Sequence, residues 1–143
     1  MSRLMSVAFT EQAVRDRTKT VTRRKGWTFL KPGDRLTLCR KVMGRKKGEP
    51  LVRVAEVEVV SVRRESLGHL IHPHRSPAEG PYFDAAPWHN PEYAADEMVR
   101  EGFPGLSPTA FVRTYFVDEQ GMGYHDDVTR IEWRYLDDEQ AAS

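Results

Sequence analysis

Apolar and polar residues along the chain predict a short apolar strand over Leu4 to Phe9 and then a helix start at Thr10-Glu11, where a capping hydroxyl precedes an acid in the first turn. That helix is expected to end near Arg17. Thr18 to Arg24 is dominated by β-branched residues and should run as an extended or turning segment. Lys31-Pro32-Gly33-Asp34 reads as a tight turn, with proline fixing one dihedral and glycine supplying a positive one. Arg35 to Val42 then alternates, Leu36 and Leu38 sharing a face with Arg40, as in a half-buried strand. A basic loop from Gly44 to Gly48 leads to Leu51–Val62, where the apolar face switches between Val54 and Val57. That switch predicts a long strand with a bulge or strong bend. Residues 66–91 hold Gly68, Pro73, Pro77, Gly80, Pro81, Pro87 and Pro91 and read as an inserted loop, which Tyr82, Phe83 and Trp88 make a packing one. Pro91 opens a helix whose shared face is Ala94, Ala95, Met98 and Val99, ended by Gly102. Ser107-Pro108 opens a second helix through Phe111, Val112 and Tyr115, and Val128 to Leu136 alternates as a final strand.

The pattern amounts to an α+β chain with a small, strongly bent, mostly antiparallel sheet. Its 143 residues fit one domain, since a domain usually takes roughly 100 to 200. We expect that domain to cover 1–137, with 138–143 a frayed acidic tail. Cys39 is the single cysteine, so no intrachain disulfide can form, and its alternating context predicts a packed small side chain rather than a nucleophile. The longest apolar runs are a few residues and no charged-then-apolar leader opens the chain, so a soluble, cytoplasmic protein without a membrane partner is expected.

Net charge is +1, an average that conceals a division. Residues 1–64 hold 17 Lys or Arg against 6 Asp or Glu, and residues 65–143 hold 5 against 15. Either the first half builds a basic face that attracts phosphates, or the halves pack together and their charges cancel. Arg15, Arg17, Lys19, Arg23, Arg24 and Lys25 form the densest basic cluster, followed by Arg45, Lys46 and Lys47. Trp27 lies just after the first cluster and reads equally as a stacking surface for a base or as a hydrophobic plug.

The richest chemistry lies in Lys19-Thr20-x-Thr22-x-Arg24, followed by the Pro32-Gly33-Asp34 turn into Arg35-Leu36-Thr37-Leu38, and later by Glu101-Gly102-Phe103 at the end of a helix. In the order and spacing of these three anchors the chain resembles the ASCH family, a branch of the PUA-like superfamily of small β-barrels associated with RNA and modified nucleosides. Val14–Val62 and Arg100–Leu136 also resemble small ASCH proteins of actinobacterial phages. The resemblance implies a small PUA-like β-barrel with flanking helices and a partner that is RNA or a modified nucleoside; we expect no cofactor and no metal. Some ASCH proteins are N4-acetylcytidine amidohydrolases, and similarity to them implies a Lys, Thr and Glu trio. It falls on Lys19, Thr22 and Glu101, with Glu97 the rival for the acid.

Such a trio suits amide hydrolysis. A lysine beside Arg23 and Arg24 and partly withdrawn from water can approach neutrality as a base, activating the Thr22 hydroxyl or a water. Glu101 would shuttle the proton that the departing amine needs, and Arg24 would hold a phosphate or polarise the carbonyl. The same residues, with Arg17, Arg23, Lys25, Trp27, Arg45, Lys46 and Lys47 around them, would also serve binding alone, or a ribonuclease. Spacing sets a condition: Lys19 and Thr22 point to opposite sides if the segment is a regular strand. A buried Lys19 paired with Glu101 could equally tie a helix to the sheet and do no more. A third reading is a phage or host interaction module that uses loop 66–91. His69, His72 and His74, with His89 or Asp84, have no recognisable zinc-site spacing and read as part of that loop. His125-Asp126-Asp127 reads as a polar turn.

Overall fold

The computed structural model describes residues 2–70 and 91–136. Within them, β1 (Arg3–Ser6), α1 (Glu11–Arg15), β2 (Val21–Arg24), β3 (Arg35–Cys39), β4 (Arg53–Ser66), α2 (Pro91–Glu101), α3 (Pro108–Val112) and β5 (Asp127–Tyr135) follow one another. The strands form one curled half-barrel sheet in the order β1-β3-β4-β5-β2. The β1–β3 pair is parallel and the other three pairs are antiparallel. The chain is therefore α+β, as its pattern predicted, and β1 and β2, adjacent in sequence, are the two edges of the sheet.

Lys31 to Asp34 forms the predicted turn: Gly33 adopts φ +97° and the Asp34 carboxylate accepts from the Lys31 amide at 3.0 Å. β4 bends, but by two bulges rather than one change of face. Val54 is the extra residue opposite Leu38 and Cys39, and the register with β5 shifts between Val59 and Ser61. Between the bulges the alternation is regular, with Ala55, Val57 and Val59 buried.

Three local expectations need correction. β1 stops at Ser6, because Ala8–Thr10 turns away as a single 3-10 turn, and this leaves Phe9 exposed instead of buried in a strand. Thr10 makes no capping hydrogen bond, since that turn already leads the backbone into α1. In α2 the buried positions are Ala94, Glu97, Met98 and Glu101, while Ala95 and Val99 face out. The helix is turned so that Glu97 and Glu101 go inside, where arginines from the sheet receive them.

Other boundaries follow the sequence closely. Gly102, at φ +94°, closes α2, with Phe103 N–H donating to Met98 and Gly102 N–H to Val99. Ser107 caps α3 by accepting from the Ala110 amide at 3.1 Å. That helix continues beyond Val112 through a wider π-helical turn over Arg113–Asp118. Leu67–Leu70 is a 3-10 turn whose leucines are buried, so the predicted insertion is anchored at its start, and Pro91 belongs to α2. The rest of the insertion, with His72, His74, Asp84, Trp88 and His89, lies outside the described residues, as does the tail from Asp137. Cys39 is buried in β3.

Two apolar clusters result. One joins Met5, Val7, Val14, Leu36, Leu38, Val57, Val59, Ile131 and Trp133 under α1. The other joins Leu67, Leu70, Met98, Phe111, Val112, Phe116, Met122 and Val128 around α2 and α3. No helix among the described residues is long and apolar enough to cross a membrane.

Candidate functional site

Where the two clusters meet, a pocket of about 180 Å³ opens. Val7, Phe103, Phe111, Tyr115 and Phe116 form its apolar wall, the largely exposed Phe9 stands at its mouth, and Lys19, Thr22, Arg24 and Glu101 are among its polar lining. The residues of the predicted trio, far apart in sequence, therefore share one hollow.

The spacing condition on Lys19 and Thr22 is met because regular pairing begins only at Val21. Ahead of it, Arg17 adopts φ +66° and reverses the chain out of α1. Thr20 N–H donates to the Arg100 carbonyl at 2.8 Å, and Trp133 N–H donates to the Thr20 carbonyl at 3.0 Å. The Lys19 carbonyl accepts from Trp133 Nε1 at 3.1 Å and from the Tyr135 hydroxyl. Lys19 is thus held by β5 and the end of α2 while its side chain turns back.

Lys19 is 2% exposed and its amine donates to the Val21 carbonyl at 2.9 Å, the Glu101 carbonyl at 2.5 Å and Glu101 Oε1 at 3.5 Å. It therefore satisfies a terminal carbonyl of α2, where a cation is also favoured by the helix dipole. Burial lowers its pKa to about 8; the Glu101 carboxylate opposes the shift, and Arg24 and Arg23 add to it.

The two candidate acids separate by partner. Glu101 meets Lys19 and accepts from Arg23 Nη1 at 2.9 Å. Glu97 accepts from Arg130 Nε at 2.7 Å and Arg130 Nη2 at 3.0 Å, and from Arg23 Nη2. Burial alone would push the Glu97 carboxyl up. The hydrogen bonds from Arg130 and the charge of Arg23 outweigh it and hold the group at about 2. Arg23 and Arg130 face each other across the β2–β5 pair, which explains why one carboxylate can engage both.

Arg24 is half-buried at the pocket. Its Nε donates to Thr22 Oγ1 at 3.1 Å and its Nη2 to the Ser6 carbonyl at 2.6 Å. Nη1 has no hydrogen-bond partner among the described residues, which leaves one cationic donor on a residue of the pocket lining.

Of the remaining predicted binding residues, Arg23 also lines the pocket and the others lie elsewhere. Arg23 is 4% exposed and locked between Glu97 and Glu101, so it is an interior cation and not part of a basic surface. Arg17 stacks its guanidinium on Tyr135, 4.8 Å from the ring centroid. Trp27 is half-buried against the first core cluster and beside Phe29, and it is not a wall of the pocket. Lys25, Arg45, Lys46 and Lys47 are exposed, the last three on the β3–β4 loop. Both readings of the charge division thus hold in part: Lys19–Glu101, Arg23–Glu97 and Arg134–Glu58 cancel across the halves, while the loop stays basic.

The aromatic wall and Arg130 escaped the sequence reading. Phe103, Phe111, Tyr115 and Phe116 cluster within fourteen residues, a density that could have signalled a ring-binding surface. The π-helical turn that carries Tyr115 and Phe116 has no such signal. Among the described residues, no group of three or more His, Cys, Asp or Glu is placed to hold a metal ion. Comparison of the chain with protein-family models, with curated proteins and with solved structures returned no match.

Proposed function

We propose that this chain is an ASCH-like domain that binds RNA or a modified nucleoside, its curled sheet being a variant of the PUA-like barrel, and that a single base enters the pocket between Lys19, Thr22, Arg24 and Glu101. The carrying observation is the shape and chemistry of the pocket. A cavity of about 150 Å³ accommodates benzene, so 180 Å³ suits one six-membered ring and excludes an attached sugar and phosphate. Aromatic walls would receive the ring faces, and Arg24 Nη1 and the Thr22 hydroxyl would meet its polar edge. Calorimetric titration with cytidine, uridine and N4-acetylcytidine tests this. Binding of at least one of them, weakened roughly tenfold by Arg24→Gln through loss of a charge-assisted hydrogen bond, supports the pocket reading. No binding by any, free or as the central base of a trinucleotide, or binding indifferent to Arg24→Gln, refutes it.

Hydrolysis of an acylated base is a second reading, favoured by the meeting of an amine, a hydroxyl and a carboxylate in the same hollow. Neutral Lys19 would take a proton from water or from Thr22 as the oxygen attacks the amide carbon. The resulting ammonium, beside Glu101, would return that proton to the leaving amine as the C–N bond breaks; where Thr22 is the nucleophile, a water deprotonated by Lys19 would then hydrolyse the acetyl ester left on its oxygen and release acetate. Release of cytidine and acetate from N4-acetylcytidine, followed by chromatography, is the readout. Turnover that Thr22→Val and Lys19→Ala leave unaltered would exclude these groups.

A further inference from the structure

Phe9 lines the pocket, yet its ring is 73% exposed. Phe111 and Phe116 are buried and Phe103 and Tyr115 half-buried, whereas Phe9, in tilted contact with Tyr115 at 5.4 Å between centroids, stays largely exposed. A ring left so far in water gains by being covered.

Its surroundings are cationic. Val7 N–H donates to the Cys39 carbonyl at 2.8 Å, which sets the start of the β3–β4 loop beside the turn that carries Phe9. Arg40 then reaches Glu11 at 2.8 Å, and Arg15 shares the same carboxylate at 2.9 Å, so one acid serves two guanidiniums. Beyond Arg40 the loop adds Lys41, Arg45, Lys46 and Lys47 against Glu49 alone. This loop and the turn of Phe9 leave the same end of the sheet, where the parallel strands β1 and β3 both finish.

Resting on the reading that the pocket takes a base, we propose that the ligand is single-stranded RNA rather than a free nucleoside. One base enters the pocket, the next stacks on Phe9, and the phosphates run toward Arg40–Lys47. Stacking on an aromatic ring is tolerant of sequence, so the pocket selects the base and Phe9 adds affinity without selecting. The loop supplies the salt-sensitive attraction of a phosphate backbone.

The test compares affinities of cytidine, uridine and N4-acetylcytidine with those of trinucleotides carrying each as the central base, by calorimetry on the full chain. Trinucleotides are expected to bind at least about tenfold tighter, with log affinity falling by roughly 0.7 per phosphate contacted for each unit of log salt. Phe9→Ala should cut the trinucleotide-to-nucleoside ratio about tenfold, Phe9→Tyr should retain it, and Lys46→Glu with Lys47→Glu should flatten the salt slope. These side chains are exposed, so the variants are expected to fold, which circular dichroism checks. A trinucleotide that binds no tighter than its nucleoside, or a ratio that survives Phe9→Ala, overturns the proposal while leaving the nucleoside pocket intact. If neither class binds, the proposal and the pocket reading fall together.

Discussion

Lys19 has all three protons of its ammonium directed at acceptors, two of them backbone carbonyls. With a pKa of about 8 it is mainly charged at pH 7, so its structural and chemical roles belong to different protonation states. If hydrolysis is the activity, the rate should rise with pH and level off above about 8, as the amine becomes free to act as base. A pH profile on N4-acetylcytidine that is flat from 6 to 9 would remove Lys19 as the base. The same residue affects folding in a definite direction. Its folded pKa lies below its ordinary 10.5, so the unfolded chain holds more protons between about 8 and 10.5, and this group's contribution to stability grows as pH rises through that window. Gly102 is the other residue on which the site turns. It combines φ +94° with a position where a Cβ would lie 3.0 Å from Thr10 Cγ2 and 3.1 Å from Ala13 Cβ. Gly102→Ala should therefore cost about 1–3 kcal/mol, from the left-handed backbone and the crowding against α1. Chemical denaturation would read this, and a loss below 0.5 kcal/mol would show that α1 moves aside freely.

At the scale of elements, α2 buries carboxylates where its sequence offered apolar residues. Glu97 and Glu101 are 1% and 2% exposed, while Val99 is 45% exposed. Removing one member of a buried charge set leaves the others unpaired, so Glu97→Gln is expected to destabilise the fold by about 3–5 kcal/mol. Because the folded pKa of Glu97 is depressed to about 2, its contribution is present above the ordinary value near 4.5 and is lost as pH falls from there toward 2. Acid titration of stability in the parent and in Glu97→Gln should show a constant offset above about pH 4.5 that shrinks as pH falls toward 2; an offset unchanged down to pH 2 would contradict the network. This element also shows what the sequence could tell. Its bounds were legible, because proline and glycine act locally on the backbone. Its orientation was not, because the arginines that draw the glutamates inward come from β2 and β5 and meet α2 only in three dimensions. Likewise, the bend of β4 was legible as a break in period, but its division into bulges at Val54 and Val60 depends on two different neighbours. Lys19, Thr22, Arg24 and the acid were found as types in a motif. The choice between Glu97 and Glu101, and the aromatic wall opposite, required the fold.

For the whole molecule, the order of strands has a temporal meaning. β1 and β2 are separated by only fourteen residues of chain, yet they occupy opposite margins of the sheet, and the pairing of β2 is with β5 alone. The segment that carries Lys19, Thr22 and Arg24 therefore waits for residues 127–135, more than a hundred positions later, before it has a strand to join. On a ribosome, the basic motif emerges early and stays unpaired until almost the entire described chain has followed it. A version ending at Gly121 should lack a cooperative thermal transition, and added β5 peptide should bind it and restore one; a sharp transition without the peptide would mean that the early half folds alone. The hollow thus follows the making of β5, assembled only when two segments so distant in sequence have found each other.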